Sequence, residues 1–106
     1  MPKDEEVRVM ITTKENIIKF LKENKELLTK QFFVKRIALF GSYARDEVTE
    51  NSDIDLLIDT EVKDIKNRFY LKEYLSQNLN SEVDICYLDS LRSFIKKHIQ
   101  DELIYV

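Results

Sequence analysis

The sequence predicts an α/β (α+β) fold in which a mixed β-sheet is flanked by helices. Helix-like and strand-like segments alternate along the chain, with no repeat and no low-complexity stretch. A single glycine leaves little provision for tight hairpins, which favours longer, helix-bearing connections between strands. At 106 residues and 43% apolar content, the chain has material for one hydrophobic core. One domain over residues 1–106 is therefore expected, with fraying within the charged first ten residues.

Each element has a local reason. Thr12-x-x-Glu15 reads as a capping box opening a helix of about 17 residues, in which Ile17, Ile18, Leu21 and Leu28 recur at helical spacing. Phe33–Phe40 is apolar and β-prone enough for a first strand, and Gly41–Glu47 should form a turn with a short helix. Asn51-Ser52 leads into a second strand ending at Asp59. A second long helix, Asp64–Leu79, is expected to turn Ile65, Phe69, Leu75 and Leu79 to the core. Glu82–Leu88 makes a third strand. Asp89 or Ser90 can cap a third helix that buries Leu91, Phe94, Ile95 and Ile99, and Leu103–Val106 closes as a short edge strand.

Composition narrows the function. The longest apolar runs are too short to span a bilayer, and Met1–Glu6 lacks the apolar centre of a signal peptide, so a cytoplasmic protein is expected, with no membrane partner. A net charge of −3 argues against direct nucleic-acid binding, although Lys30, Lys35 and Arg36 gather before the central motif. Cys86, the only cysteine, lies in an apolar strand and reads as a buried structural thiol. His98, the only histidine, reads as a partly buried packing residue.

The chemistry concentrates in residues 41–59, GSYARDEVTENSDIDLLID. Asp53 and Asp55 are two apart at the start of a strand, so both carboxylates point to one face with Cα atoms about 7 Å apart. Such a pair repels itself, and a hard divalent cation such as Mg²⁺ is its natural neutraliser. Upstream, Gly41-Ser42 ends the run Ile37–Phe40, where a glycine turn and a hydroxyl can cradle phosphate. Asp-x-Asp alone is commonly a solvated strand face, and Gly-Ser alone is a turn. The combination, with a further aspartate in the third strand, points to a nucleotide and metal site. Asp59 and Asp89 also flank strands; Asp59 reads as a strand terminator.

Gly-Ser-x-Ala-Arg followed by Ser-Asp-x-Asp-Leu resembles the signature of the DNA polymerase β nucleotidyltransferase superfamily, in its minimal nucleotidyltransferase (MNT) branch. The likeness runs from near residue 14 to the last strand. It implies a polymerase β-like palm in which Gly41 and Ser42 bind the nucleotide's phosphates, Arg45 helps position it, and Asp53, Asp55 and Asp84 are catalytic metal ligands. It further implies two Mg²⁺ ions, ATP as donor, and a role as the antitoxin of a HEPN-domain toxin, with AMP placed on a toxin tyrosine. Asp53 and Asp55 would then bridge the two ions and Asp84 would complete the one that receives the attacking hydroxyl.

Two departures from the pattern stand out. Asp46 replaces the usual glycine after the arginine, adding negative charge that either weakens nucleotide binding or points into solvent. Asp101-Glu102 replaces a common Glu-Gly turn before the last strand. Two other readings stay open: a palm that neutralises its toxin by binding alone, and a transferase acting on small molecules such as aminoglycosides. The second is weakened by the length, which leaves no room for an added substrate-recognition domain.

Overall fold

β-Branched and aliphatic runs give the strands β1 (Val34–Phe40), β2 (Ile54–Thr60), β3 (Val83–Tyr87) and β4 (Ile104–Tyr105). The computed structural model describes residues 12–106; the expected fraying of residues 1–10 lies outside them. The sheet order is β3-β2-β1-β4, with β1 antiparallel to β2 and β4, and β2 parallel to β3. A mixed sheet flanked by helices is thus what the sequence predicted. No helix among the described residues is long and apolar enough to cross a membrane.

Three regular helices cover one face: α1 (Lys14–Glu23), α2 (Lys25–Phe32) and α3 (Ile65–Leu79). The first cap falls one residue later than expected, because the Thr13 hydroxyl accepts from Asn16 N–H at 3.1 Å. The expected 17-residue helix is broken at Asn24. There the side-chain amide donates to Phe20 C=O at 2.9 Å, while its oxygen accepts from Tyr74 OH at 3.1 Å. An amide that competes for the helix's own carbonyls and is held from α3 stops the helix and redirects it. α2 ends where Phe33 takes a left-handed conformation (φ 62°), so β1 begins one residue later than expected, at Val34. α3 is capped by Asp64, whose carboxylate accepts from Asn67 N–H at 2.7 Å, and closed by Asn80 at φ 55°.

Two expectations about helix faces fail. α3 buries Leu71, Leu75 and Leu79, leaving Ile65 and Phe69 in solvent at 86% and 56% exposure. Ile65 opens the helix before it meets the sheet, and Phe69 lies two residues from Leu71, well around the helix from the i, i+4, i+8 stripe that docks. The expected third helix is not regular either. Residues 88–102 run through a 3₁₀ turn, a short α turn, a π-helix over Ile95–Ile99 and another 3₁₀ turn. Ile95 and Ile99 are buried as expected, whereas Phe94 is exposed and stacks on an exposed His98. His98 is therefore a surface residue and not a packing one.

The strands sort their side chains by parity. Ile37, Leu39, Ile54, Leu56, Ile58, Val83 and Ile85 join Ile17, Leu21, Leu71 and Leu75 in the main core. Ala38 and Leu57 point the other way and meet Leu88, Ile95 and Ile99 in a smaller cluster. Phe40, Asp55 and Asp84 share that second parity. Along the outer side of β3, Arg68 of α3 donates to Ile85 C=O at 2.7 Å and lies over the Tyr87 ring.

Candidate active site

The ladder registers build the site. Phe40 of β1 is the partner of Asp55 in β2, and Asp55 is the partner of Asp84 in β3. Neighbouring strands lie about 5 Å apart, so the parallel β2–β3 pairing sets the two carboxylates side by side. Asp53, just before β2, shares their parity. The residues expected to act together are thus brought to one end of one face.

Gly41 follows β1 with φ +78°, and a Cβ there would come 2.1 Å from Asp55 Oδ2. Both the backbone angle and the close carboxylate demand glycine. The following residues curl into a helix-like turn, with Arg45 N–H on Gly41 C=O at 3.1 Å and Glu47 N–H on Ser42 C=O at 2.9 Å. This is a turn without the short helix expected from sequence. Tyr43 pins it by burying its ring in the main core. Among the described residues the Ser42 hydroxyl makes no side-chain hydrogen bond, and Ser42 is half-buried directly after Gly41 in this turn.

Charge separates site carboxylates from ordinary ones. Asp59 is held by Arg36 at 3.1 Å, and Asp89 by Arg92 at 3.0 Å and by Lys63. Asp53, Asp55 and Asp84 make no ion pair among the described residues. Burial, then the charges of Asp84 and Asp53, push Asp55 up from 3.8 to about 6, against a smaller opposing pull from Arg45. Hard oxygen donors whose mutual repulsion is left unrelieved are the donor chemistry of a Mg²⁺ site. In this conformation, among the described residues, no three His, Cys, Asp or Glu side chains gather into a ready metal cage.

The two departures in the motif now have places. Asp46 adopts φ +59°, a left-handed backbone that suits the glycine the resemblance implies there, and its carboxylate is bound by Lys14 Nζ at 2.9 Å. It is thus largely exposed, as one of the two expectations had it, and is held by Lys14 at the edge of the turn. Glu102 is a residue that the reading of the motif passed over. Its Oε2 accepts from Gly41 N–H at 2.7 Å, and the Arg45 guanidinium lies 3.2 and 3.3 Å from its two oxygens. The available signal was its position just before the last strand, where the sequence departs from its family. Arg45 also donates to Glu47 at 2.8 Å. Cys86 is half-buried, and burial followed by the charges of Asp84 and Asp55 raises its thiol pKa, which suits an unreactive thiol.

Residues 15–106 match the nucleotidyltransferase domain family. The chain belongs to that family. Within it, the chain is 44% identical over 88 residues to a candidate protein adenylyltransferase of Methanocaldococcus jannaschii, covering 81% of this chain and 90% of that one. It is 39% identical over 95 residues to the protein adenylyltransferase MntA of Thermococcus cleftensis, covering 89% and 96%. Among solved structures, a candidate minimal nucleotidyltransferase superposes with TM-score 0.70 at 29% identity, over 88% of this chain and 95% of that one. A toxin–antitoxin complex with AMP-PNP gives TM-score 0.63 at 27% identity, over 89% and 72%. A tri-AMPylated Shewanella oneidensis HEPN toxin bound to its MNT antitoxin gives 0.54 at 26% identity, over 87% and 66%. The nucleotidyltransferase fold expected from the motif is the fold observed.

Proposed function

We propose that this chain is the antitoxin of a HEPN/MNT pair and transfers AMP from ATP to a tyrosine hydroxyl of its HEPN-domain toxin. The observation that carries the reading is the side-by-side placement of Asp55 and Asp84, with no ion-pair partner among the described residues, against the one glycine turn of the chain. The adenylyltransferase names of its relatives and the AMPylated toxin beside a structural neighbour support it.

Asp53, Asp55 and Asp84 are the residues that would hold two Mg²⁺ ions, which when bound stabilise phosphate charge and acidify the attacking hydroxyl. The Gly41 N–H, Ser42 and Arg45 hold and orient the triphosphate. The tyrosine oxygen forms a bond to the α-phosphorus, and the bond from that phosphorus to the bridging oxygen of the β-phosphate breaks in line. Pyrophosphate leaves, and the phenolic proton passes to the Asp84 carboxylate. The resemblance implies that the HEPN toxin is a ribonuclease, so AMP on a tyrosine near its active site would add charge and bulk where RNA phosphates must bind, and so block it.

Intact-mass spectrometry tests this on the protein encoded beside this chain, incubated with the chain, ATP and Mg²⁺. A gain of one AMP or a small multiple on tyrosine, absent with Asp53→Asn, is expected. A stable complex without any mass gain would replace it with neutralisation by binding alone.

A further inference from the structure

Glu102 sits where a ligand would. β4 pairs with β1 through Leu39 with Ile104 and Ala38 with Tyr105, and continuing that register sets Glu102 opposite Gly41. Its side chain takes the Gly41 N–H and the Arg45 guanidinium together. A backbone N–H at a glycine turn combined with a guanidinium is an anion-binding set, and carboxylate and phosphate compete for the same donors.

The segment bearing Glu102 is the least regular in the fold. A π-helix over Ile95–Ile99 runs directly into the 3₁₀ turn Gln100–Glu102. Such irregular windings often mark places where a chain changes arrangement. Behind them lies only the smaller apolar cluster of Ala38, Leu57, Leu88, Ile95 and Ile99. A shift of Glu102 therefore need not disturb the main core.

We infer that Glu102 is a built-in competitor for the phosphate turn: its carboxylate occupies Gly41 N–H and Arg45 until the nucleotide's phosphates displace it. This rests on the nucleotidyltransferase reading and adds a residue that sets how tightly that site takes phosphate. Glutamine at 102 can still accept both hydrogen bonds, so Glu102→Gln keeps the brace and removes the competing charge.

The one glycine provides a direct probe. Protein labelled with ¹⁵N-glycine gives a single amide signal, that of Gly41, which is titrated with tripolyphosphate in Mg²⁺-free buffer. Half-saturation in Glu102→Gln is expected at roughly 3–10-fold lower concentration than in the wild type, with the gain shrinking as salt rises. Asp101→Asn removes the same charge one residue away and should leave the wild-type value unchanged. Thermal melting of each variant confirms that it is folded. Equal or weaker binding by folded Glu102→Gln, or the same gain in Asp101→Asn, overturns the inference. If that happens while AMP transfer to the toxin persists, the proposed function stands without it. If neither wild type nor Glu102→Gln binds tripolyphosphate in Mg²⁺-free buffer, the inference falls; if ATP with Mg²⁺ also fails to bind either protein, the proposed function falls with it.

Discussion

The two faces of the sheet are built on opposite terms. One is sealed by three regular helices over Ile37, Leu39, Leu56 and Ile85, with charge kept out. The other is half covered by the irregular residues 88–102, and its open end carries Asp53, Asp55 and Asp84. The same strands make both, since adjacent residues point to opposite faces. The first face can supply stability because the second is free to forgo it. The carboxylates, without an ion-pair partner among the described residues, stand on the side of the sheet away from the main core.

The sharpest way to break this comparison is to cut the same volume from each face. Leu56→Ala, in the sealed face, should lower stability by about 2–5 kcal/mol. Leu57→Ala should cost nearer 2 kcal/mol, because the looser cover can collapse toward the space left behind. Urea midpoints of the two variants decide it; equal losses would mean the faces are equally packed.

Next in size is Gly41→Ala, which drives a methyl into the Asp55 carboxylate. AMP transfer should fall at least about 100-fold, the scale of an ångström-sized misplacement in an active site. Single-turnover rates measure this, with the melting temperature falling far less than for Leu56→Ala.

The pH response should belong to the open face alone. The folded value of Asp55, about 6, lies above its ordinary 3.8. Folding therefore takes up a proton between these values, and the stability gained is full below the lower one and lost as pH rises through the upper. In Mg²⁺-free buffer, Asp55→Asn should raise the melting temperature at pH 7.5 by roughly 2–5 °C and leave it unchanged at pH 3.5. A drop at pH 7.5 would show that the carboxylate supports the fold.

Smallest is Asp46→Gly. Losing the partly exposed pair with Lys14 is offset by relief of the left-handed backbone, so stability should change by under about 1 kcal/mol. AMP transfer should stay at the wild-type rate. A clear gain would mean that Asp46 opposes nucleotide after all.

The sealed face and the shared side of Asp53 and Asp55 were legible because both follow a period of two, through Ile54, Leu56, Ile58 and through Asp53, Asp55, Leu57, whereas the place of Asp84 beside them depends on strand pairing. Gly41 was legible because one residue type fits its turn. The break at Asn24 was not, since its cause is Tyr74, fifty residues on. Ile65 and Phe69 misled because their spacing is helical while the docking stripe is set by where the sheet lies. Residues 88–102 carry an ordinary helical pattern, yet they pass through four short windings on the way to setting Glu102 opposite Gly41 and β4 alongside β1. Contacts between elements distant in sequence decide such features, and local patterns hold no trace of them.

One contact made by Arg68 reaches beyond the site. β3 is the outer strand beside β2, and the alternation that sends Glu82 C=O to Ile54 N–H leaves Ile85 C=O facing outward. An outward row of backbone groups on a strand reading Val-Asp-Ile-Cys-Tyr is a template for another chain to join. The guanidinium occupies that carbonyl and covers the neighbouring ring, while Asp84 supplies the only charge on the strand. Asp84, whose proposed work is chemical, and an arginine far from it in sequence thus both make this edge a poorer template for another copy of the chain.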